Sequence, residues 1–351
     1  MKIKLTKDHF VGENEKPYII AELGSNHNGD MDLARKLIEE AKKAGADCVK
    51  FQSWSKETIF SKKVYDDNHF LADDYRNRKD YTLEKIVEAY SISEQELLEM
   101  KKHADEIGID CTSTPFSKRE VDFLDAEMNV DFIKVASMDL NNYPFLAYIA
   151  SKGKPIVLAT GLSNLAEIDT AITTIENAGN DKIIILHCVS IYPPEDHQVN
   201  LRNMDTLAMA YSYPVGFSDH TIGTCLPLAA IARGACIVEK HFTLDKSMEG
   251  WDHKVSADPG EMKIIATDAG RIHLALGTVR LKRVEDKERL TAFRRSIVAS
   301  VDIRQGELIS EDMLDFKRPG TGLPPEAVKY VIGKKAKRDI AFDEIIFSED
   351  F

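Results

Sequence analysis

Ionisable and hydroxyl side chains recur at or just after the ends of short apolar runs in this chain. Glu22 follows Tyr18-Ile-Ile-Ala21, with Asn26 and His27 close behind; Lys50 and Gln52 end the next run; Thr112, Ser113 and Thr114 end the third. Lys134, Ser137 and Asp139 continue the pattern, then Thr160, then His187, Ser190 and Tyr192, then Ser218, Asp219 and His220, then Lys240, His241 and Asp252. Buried polar groups cost free energy unless paired, so polarity this dense at run ends points to the lined mouth of a ligand site. If the last two runs are neighbouring strands about 4.8 Å apart, His220 and His241 can reach one ion. Two imidazoles with carboxylate or water suit a divalent first-row metal; a hydrogen-bonded pair without metal is the alternative. Lys50, Lys134 and Lys240 are either cations for an anionic ligand or Schiff-base amines. Together with Thr112, Ser113, Thr114, Ser137 and Ser218 they compose a phosphate-and-carboxylate site, although a neighbouring carboxylate could pair with any one of them instead. Glu22 can be a general base, a metal ligand or a salt-bridge partner. Trp54, Trp251 and Tyr192 either wall a pocket or simply pack.

The elements that must position these groups alternate. Strand-like runs at 18–23, 46–51, 109–113, 132–136, 155–159, 182–187, 214–217 and 236–240 are separated by helical patterns, among them 31–44, 94–107, 118–128, 165–177 and 226–233. Gly45 stands where a helix stop belongs. Repeated strand–helix alternation implies parallel strands, and eight units over this length predict a (β/α)₈ TIM barrel, whose function collects at the C-terminal ends of the strands. An open doubly wound sheet is the runner-up, but Glu22-Leu-Gly-Ser-Asn-His-Asn-Gly29 lacks the glycine fingerprint such a fold would place after its first strand. The polar, aromatic-dotted stretch 53–80 breaks the rhythm and would form a long loop on the catalytic face.

The barrel pattern ends near Gly277, giving a catalytic domain over 1–280, a charged, partly helical connector over 281–290 and a β-rich domain over 291–351. Within the last, Asp302–Asp312 echoes Asp339–Asp350, either as recurrent turn chemistry or as a pseudo-symmetric module. The 351 residues carry a net charge of −12. That balance argues against nucleic-acid binding and against adsorption to anionic lipid, and no apolar run approaches the roughly 20 residues that span a bilayer. Five widely spaced cysteines and no apolar leader fit reduced thiols in a cytoplasmic protein.

Several motifs occur in order: Ile20-Ala-Glu-Leu-Gly-Ser-Asn-His-Asn-Gly29, Val49-Lys-Phe-Gln52, Ser113-Thr-Pro-Phe116, Ile133-Lys-Val-Ala-Ser137, Lys154-Pro-Ile-Val-Leu-Ala-Thr-Gly161, Leu186-His-Cys188, Tyr192-Pro-Pro194, Phe217-Ser-Asp-His-Thr221 and Glu239-Lys-His-Phe-Thr243. Together they resemble the sialic acid synthase family, the phosphoenolpyruvate-condensing synthases of nonulosonic acids. The tail, with Lys317-Arg-Pro-Gly320 and Gly333-Lys-Lys-Ala336, resembles the family's antifreeze-like SAF (β-clip) domain.

The resemblance implies an aldol-type condensation of phosphoenolpyruvate with the aldehyde of an open-chain N-acetylated hexosamine, giving a nine-carbon 2-keto acid and phosphate. It implies a divalent metal, Mn²⁺ ahead of Mg²⁺ or Co²⁺, on His220 and His241. Phosphoenolpyruvate-binding positions match Lys50, Thr114, Lys134, Ser137 and Ser218, and the catalytic glutamate matches Glu22. Gln52, Tyr192 and Asp252 fall at sugar-contacting positions. Arg318 matches an arginine that the partner's terminal domain supplies, so a domain-swapped homodimer is implied. Three departures fall on the acceptor side: Asp139 where glutamate is common, Ser190 where asparagine is, and Trp251 where proline is. They leave the acceptor open between N-acetylmannosamine, a diacetamido-dideoxy hexose and another hexose derivative. Two other readings of the residues are a Schiff-base aldolase or lyase using Lys134 or Lys50, and a carbohydrate-binding protein without catalysis.

Overall fold

The computed structural model describes residues 1–67 and 82–351. They form two compact units, Met1–Gly277 and Thr278–Phe351. In the first, eight parallel strands build one sheet: β1 (Tyr18–Gly24), β2 (Cys48–Gln52), β3 (Asp110–Thr114), β4 (Ile133–Val135), β5 (Ile156–Ala159), β6 (Ile183–Cys188), β7 (Val215–Asp219) and β8 (Ile237–His241). The hydrogen-bonded order is β3-β2-β1-β8-β7-β6-β5-β4. The Thr112 hydroxyl bridges the two ends of that order by donating to the Phe132 carbonyl at 2.8 Å. The chain therefore folds as the expected TIM-like barrel.

Local sequence sets the helix bounds. Helix Met31–Ala44 starts where the Asp30 carboxylate accepts from the N–H groups of Asp32 and Leu33, and stops at Gly45, whose φ of 93° suits glycine. Helices Glu94–Ile107 and Leu165–Asn177 open on capping boxes, Ser93 with Glu96 and Asn164 with Glu167. Apolar faces of these helices join the outward side chains of the strands, including Ile19, Ala21, Val49, Phe51, Ile133, Ile185 and Val238, in one large core.

The inward side chains change character along each strand. At the lower end they are apolar: Tyr18, Ile20, Cys48, Phe132, Val157, Ile184 and Ile237 pack together. An N-terminal hairpin, Lys2–Lys4 paired with Phe10–Gly12, adds Ile3, Leu5 and Val11 to that cluster. Two residues further along, the same inward row becomes Glu22, Lys50, Lys134 and Glu239. A barrel interior is normally filled by branched apolar layers, so this polar layer marks the functional end. Three-residue strands carry too little alternation to announce the hairpin in advance.

The predicted loop over 53–80 begins with two short helices, Lys56–Ile59 and Lys62–Asp67; its remainder, 68–80, lies outside the described residues. Among those described, no helix is long and apolar enough to cross a membrane.

In the second unit, helix Lys287–Phe293 leads into β9 (Ser296–Ala299), which pairs antiparallel with β10 (Leu314–Lys317). The echo seen in the sequence is a structural pseudo-symmetry. Ile303 and Ile340 exchange both backbone hydrogen bonds at 2.8 Å. Gln305 N–H donates to the Asp339 carboxylate and Phe342 N–H donates to that of Asp302, each at 2.7 Å. Gly306 and Asp343 occupy equivalent left-handed positions.

Candidate active site

One cavity of about 290 Å³ opens at the C-terminal ends of the strands. Glu22, Lys50, Gln52, Thr114, Lys134, Ser137, Ser190, Tyr192, Ser218, His220, His241 and Asp252 all line it. Asn26, His27, Thr112, Ser113, Thr160, His187, Asp219 and Lys240 are not among its lining, and neither are Asp139 and Arg318. Asp139 sits on a 3₁₀ turn after β4 and accepts from the Asn142 amide at 3.3 Å, so its carboxylate serves the turn. Arg318 belongs to the second unit, its guanidinium 5.1 Å from the Phe293 ring.

The cavity floor is a buried charge cluster. Register sets Glu22 opposite Lys50 on one side and His241 on the other. Lys50 pairs with Glu22, donates to Thr114 Oγ1 at 2.8 Å and stands 3.9 Å from Glu239 Oε2. Lys134 Nζ lies 3.3 Å from Glu239 Oε1, which also accepts from the Ser218 hydroxyl at 3.1 Å. Burial pushes the Glu22 carboxyl up to about 7, against the pull of Lys50 and helped by the charge of Glu239. Burial pushes Glu239 the same way, but Lys134 and Lys50 outweigh it and hold Glu239 down to about 2. One carboxylate is thus locked as a counter-ion while the other is poised to exchange a proton near neutrality.

Above the floor, the His220 and His241 rings stand with centroids 5.5 Å apart, inclined at 46°, and the Tyr192 ring lies against His220 at 4.1 Å, inclined at 35°. His220 Nδ1 is 2.8 Å from the Val189 carbonyl; donation there leaves Nε2 as the acceptor. His241 Nδ1 is buried without a hydrogen-bond partner, 3.8 Å from Asp252 Oδ2. Burial outweighs Asp252 and lowers His241 to about 4, which keeps the imidazole neutral. Burial lowers His220 as well, but Cys188 and the Val189 carbonyl outweigh it and hold His220 above its ordinary value. Two imidazoles at one cavity fit a divalent cation, which binds the deprotonated rings. No set of three His, Cys, Asp or Glu that could hold a metal occurs among the described residues, so substrate oxygens or water would complete the coordination.

Lys240 does not join this site. Its position on β8 turns it outward, where it donates to the Asp219 carboxylate and the Thr221 carbonyl, each at 2.6 Å. His187 also faces outward, stacked on Phe217 and 2.6 Å from the Val199 carbonyl. Glu239 and Cys188 line the cavity but stood in the sequence only as parts of motifs. Strand parity would have found both, since Glu239 shares its face with His241, and Cys188 shares its face with Leu186.

Glycines let the polar groups converge. A Cβ at Gly24, whose φ is +48°, would lie 3.1 Å from Glu22 Oε1 and 3.4 Å from Gln52 Nε2. One at Gly161 would fall 2.7 Å from the Ser137 hydroxyl, which the Gly161 N–H holds at 3.0 Å.

Known proteins share this architecture. A protein of Methanocaldococcus jannaschii without an assigned activity is 43% identical, over 99% of this chain and 98% of its own length. The N,N'-diacetyllegionaminic acid synthase of Campylobacter jejuni is 38% identical, over 95% of this chain and 99% of its own. The solved N-acetylneuraminic acid synthetase of Leptospira borgpetersenii, in complex with citrate, superposes with a TM-score of 0.73 at 32% identity, covering 82% of this chain and 94% of that one. Residues 37–280 match the NeuB family and residues 294–351 match the SAF domain. The chain belongs to the NeuB family and ends in a SAF domain.

Proposed function

We infer that this chain is a nonulosonic acid synthase that joins phosphoenolpyruvate to the aldehyde of an open-chain N-acetylated hexosamine, with water, to give a nine-carbon 2-keto acid and phosphate. The observation that carries this reading is the pairing of two buried ammonium groups, Lys50 and Lys134, with a histidine pair in one cavity.

The roles follow from chemistry. Lys50 and Lys134, with the hydroxyls of Thr114, Ser137 and Ser218, suit the phosphate and carboxylate of phosphoenolpyruvate, whose charges would otherwise repel in a small pocket. His220 and His241 would hold a divalent cation, with Mn²⁺ preferred, that polarises the sugar aldehyde when bound. Glu22 takes a proton from the water that attacks C2 of the enol. C3 bonds to the aldehyde carbon, the aldehyde oxygen gains a proton equivalent to the one Glu22 took, which resets Glu22, and the C2–O bond to phosphate breaks. The second proton of the added water leaves with phosphate as C2 becomes a ketone. Gln52, Ser190, Tyr192 and Asp252 bind the acceptor. Arg318 serves the site of a second copy in a domain-swapped homodimer.

A Schiff-base route is disfavoured by the ion pairing of both candidate amines. Lys50 is raised above its ordinary value, because Glu22 and Glu239 outweigh its burial, and a protonated amine is no nucleophile.

The test is a phosphate-release screen over N-acetylated hexosamines with phosphoenolpyruvate and Mn²⁺, followed by mass spectrometry. Phosphate and a nine-carbon keto acid in equal amounts support the reading. A borohydride-trapped lysine adduct with pyruvate, or sugar binding without turnover, refutes it.

A further inference from the structure

His220 stands one residue past the end of β7, beyond the register pairs of that strand. His241 is the last residue of β8 and is still in register, opposite Glu22. The turn that carries His220 is held instead by a buried ion pair. The Asp219 carboxylate uses both oxygens: Oδ1 accepts from the Thr221 N–H at 2.9 Å, and Oδ2 accepts from Lys240 Nζ at 2.6 Å. The same ammonium donates to the Thr221 carbonyl at 2.6 Å. The two charges thus claim both backbone polar groups of Thr221, and His220 is the residue that this grip encloses. On the ring itself, Nδ1 meets the Val189 carbonyl at 2.8 Å. Lys240 directly precedes His241, so one contact ties together the carriers of both imidazoles.

Charge is out of place at this position. Lys240 and Asp219 are register partners on the outward face of neighbouring strands, with side chains only 1% and 0% exposed. Two places along on that face stand Val238, Phe242 and Phe217, all apolar and all in the large core. Desolvating two opposite charges costs about what their attraction returns, and a well-packed apolar pair in such a place is often neutral or stabilising. Stability alone therefore does not call for this pair. A metal site does call for rigid support, because ligating side chains must be held to within about 0.5 Å of their working geometry.

We propose that Lys240 and Asp219 are positioning residues for the metal-binding pair: their ion pair clamps the turn Asp219–Thr221 to β8 and so sets the His220 and His241 nitrogens for one cation. This rests on the metal reading of His220 and His241 above and adds to it the groups that hold them.

The experiment titrates full-length, chelator-treated protein with Mn²⁺ and follows the free ion by electron paramagnetic resonance. It compares the parent with a Lys240→Met/Asp219→Leu double variant, which exchanges the two charges for apolar side chains. The double variant should keep a denaturant midpoint at or above that of the parent. It should bind phosphoenolpyruvate, read by calorimetry, within about twofold of the parent. Its Mn²⁺ affinity should fall at least about tenfold, the lower range for losing a group that orients a metal ligand. A pair that served stability alone would give the reverse, a lower midpoint with Mn²⁺ affinity intact. Unchanged Mn²⁺ affinity overturns the proposal whatever the midpoint. Loss of phosphoenolpyruvate affinity alongside that of Mn²⁺ overturns it too, since the damage would not be confined to the turn. If the double variant does not fold, Asp219→Asn decides by the same titration. That variant keeps an acceptor for the Thr221 N–H but loses the charge facing Lys240; it should bind Mn²⁺ more weakly, and equal affinity overturns the proposal. Equal binding by parent and variant sinks the proposal alone; no Mn²⁺ binding by the parent sinks the metal reading and the proposal with it.

Discussion

Glu239 Oε1 stands 3.3 Å from Lys134 Nζ, and neither residue exposes more than a few per cent of its side chain. The same carboxylate faces Lys50 at 3.9 Å, so one anion balances two cations that would otherwise repel at the cavity floor. Removing one member of a buried ion pair leaves an uncompensated charge and costs about 3–5 kcal/mol. Glu239→Gln should therefore lower the unfolding free energy of the unliganded protein by that order, read as a lower denaturant midpoint. Phosphoenolpyruvate, bringing negative charge, should restore more stability to the variant than to the parent. Equal ligand-induced shifts in the two proteins would show that Glu239 is not the counter-ion.

Glu22 gives a pH profile with a definite sign. Its carboxyl is raised to about 7 by burial and must be ionised to accept a proton from water. The kcat/KM should rise about tenfold per pH unit below 7 and level off above it. The stability contributions run in opposite directions. That of Glu22 is full below its ordinary 4.5 and is lost as pH rises through about 7. That of Glu239 is full above 4.5 and is lost as pH falls through about 2. Glu22→Gln should keep phosphoenolpyruvate binding, read by calorimetry, and lose at least about 100-fold in kcat, the lower range for removing a general base.

Gly24 can be probed through space alone. Alanine there would adopt an unfavourable left-handed φ and push a methyl carbon to within 3.1 Å of Glu22 Oε1. Gly24→Ala should cost about 1 kcal/mol of stability. The kcat/KM should fall further than such a loss accounts for, because Glu22 and Gln52 are both displaced. Melting curves and steady-state kinetics on one preparation separate the two effects.

The histidine pair predicts a binding event that needs no turnover. Titrating chelator-treated protein with Mn²⁺ and following the free-ion electron paramagnetic resonance signal should show one bound ion per chain. His220→Ala and His241→Ala should each weaken it by at least about tenfold. Equal affinity in both variants would place the cation elsewhere.

Much of this is legible in the sequence, for a physical reason. Parallel strands buried on both faces read as apolar runs, and their C-terminal ends share one face of a barrel, so Glu22, Lys50, Lys134, His220 and His241 could be gathered from run ends alone. What the runs hid was parity. Lys240 comes near the end of its strand just as Lys50 does, yet it is one residue out of phase with Glu239 and His241 and turns outward to Asp219. Glu239 looked like an ordinary strand residue beside two more conspicuous ones. Asp139 fell off the cavity because a 3₁₀ turn, invisible to strand periodicity, intervenes after β4. The Trp54–Trp251 contact joins loops nearly two hundred residues apart, a distance that no local pattern spans.

The central claim is that Glu22-activated water attacks C2 of the enol and phosphate departs with its bridging oxygen. Phosphoenolpyruvate labelled with ¹⁸O at that oxygen tests it most directly. Turned over with an accepted N-acetylated hexosamine, it should deliver the label wholly to inorganic phosphate, read by mass spectrometry. Label retained in the nine-carbon acid would mean that water attacked phosphorus instead, and would contradict the account.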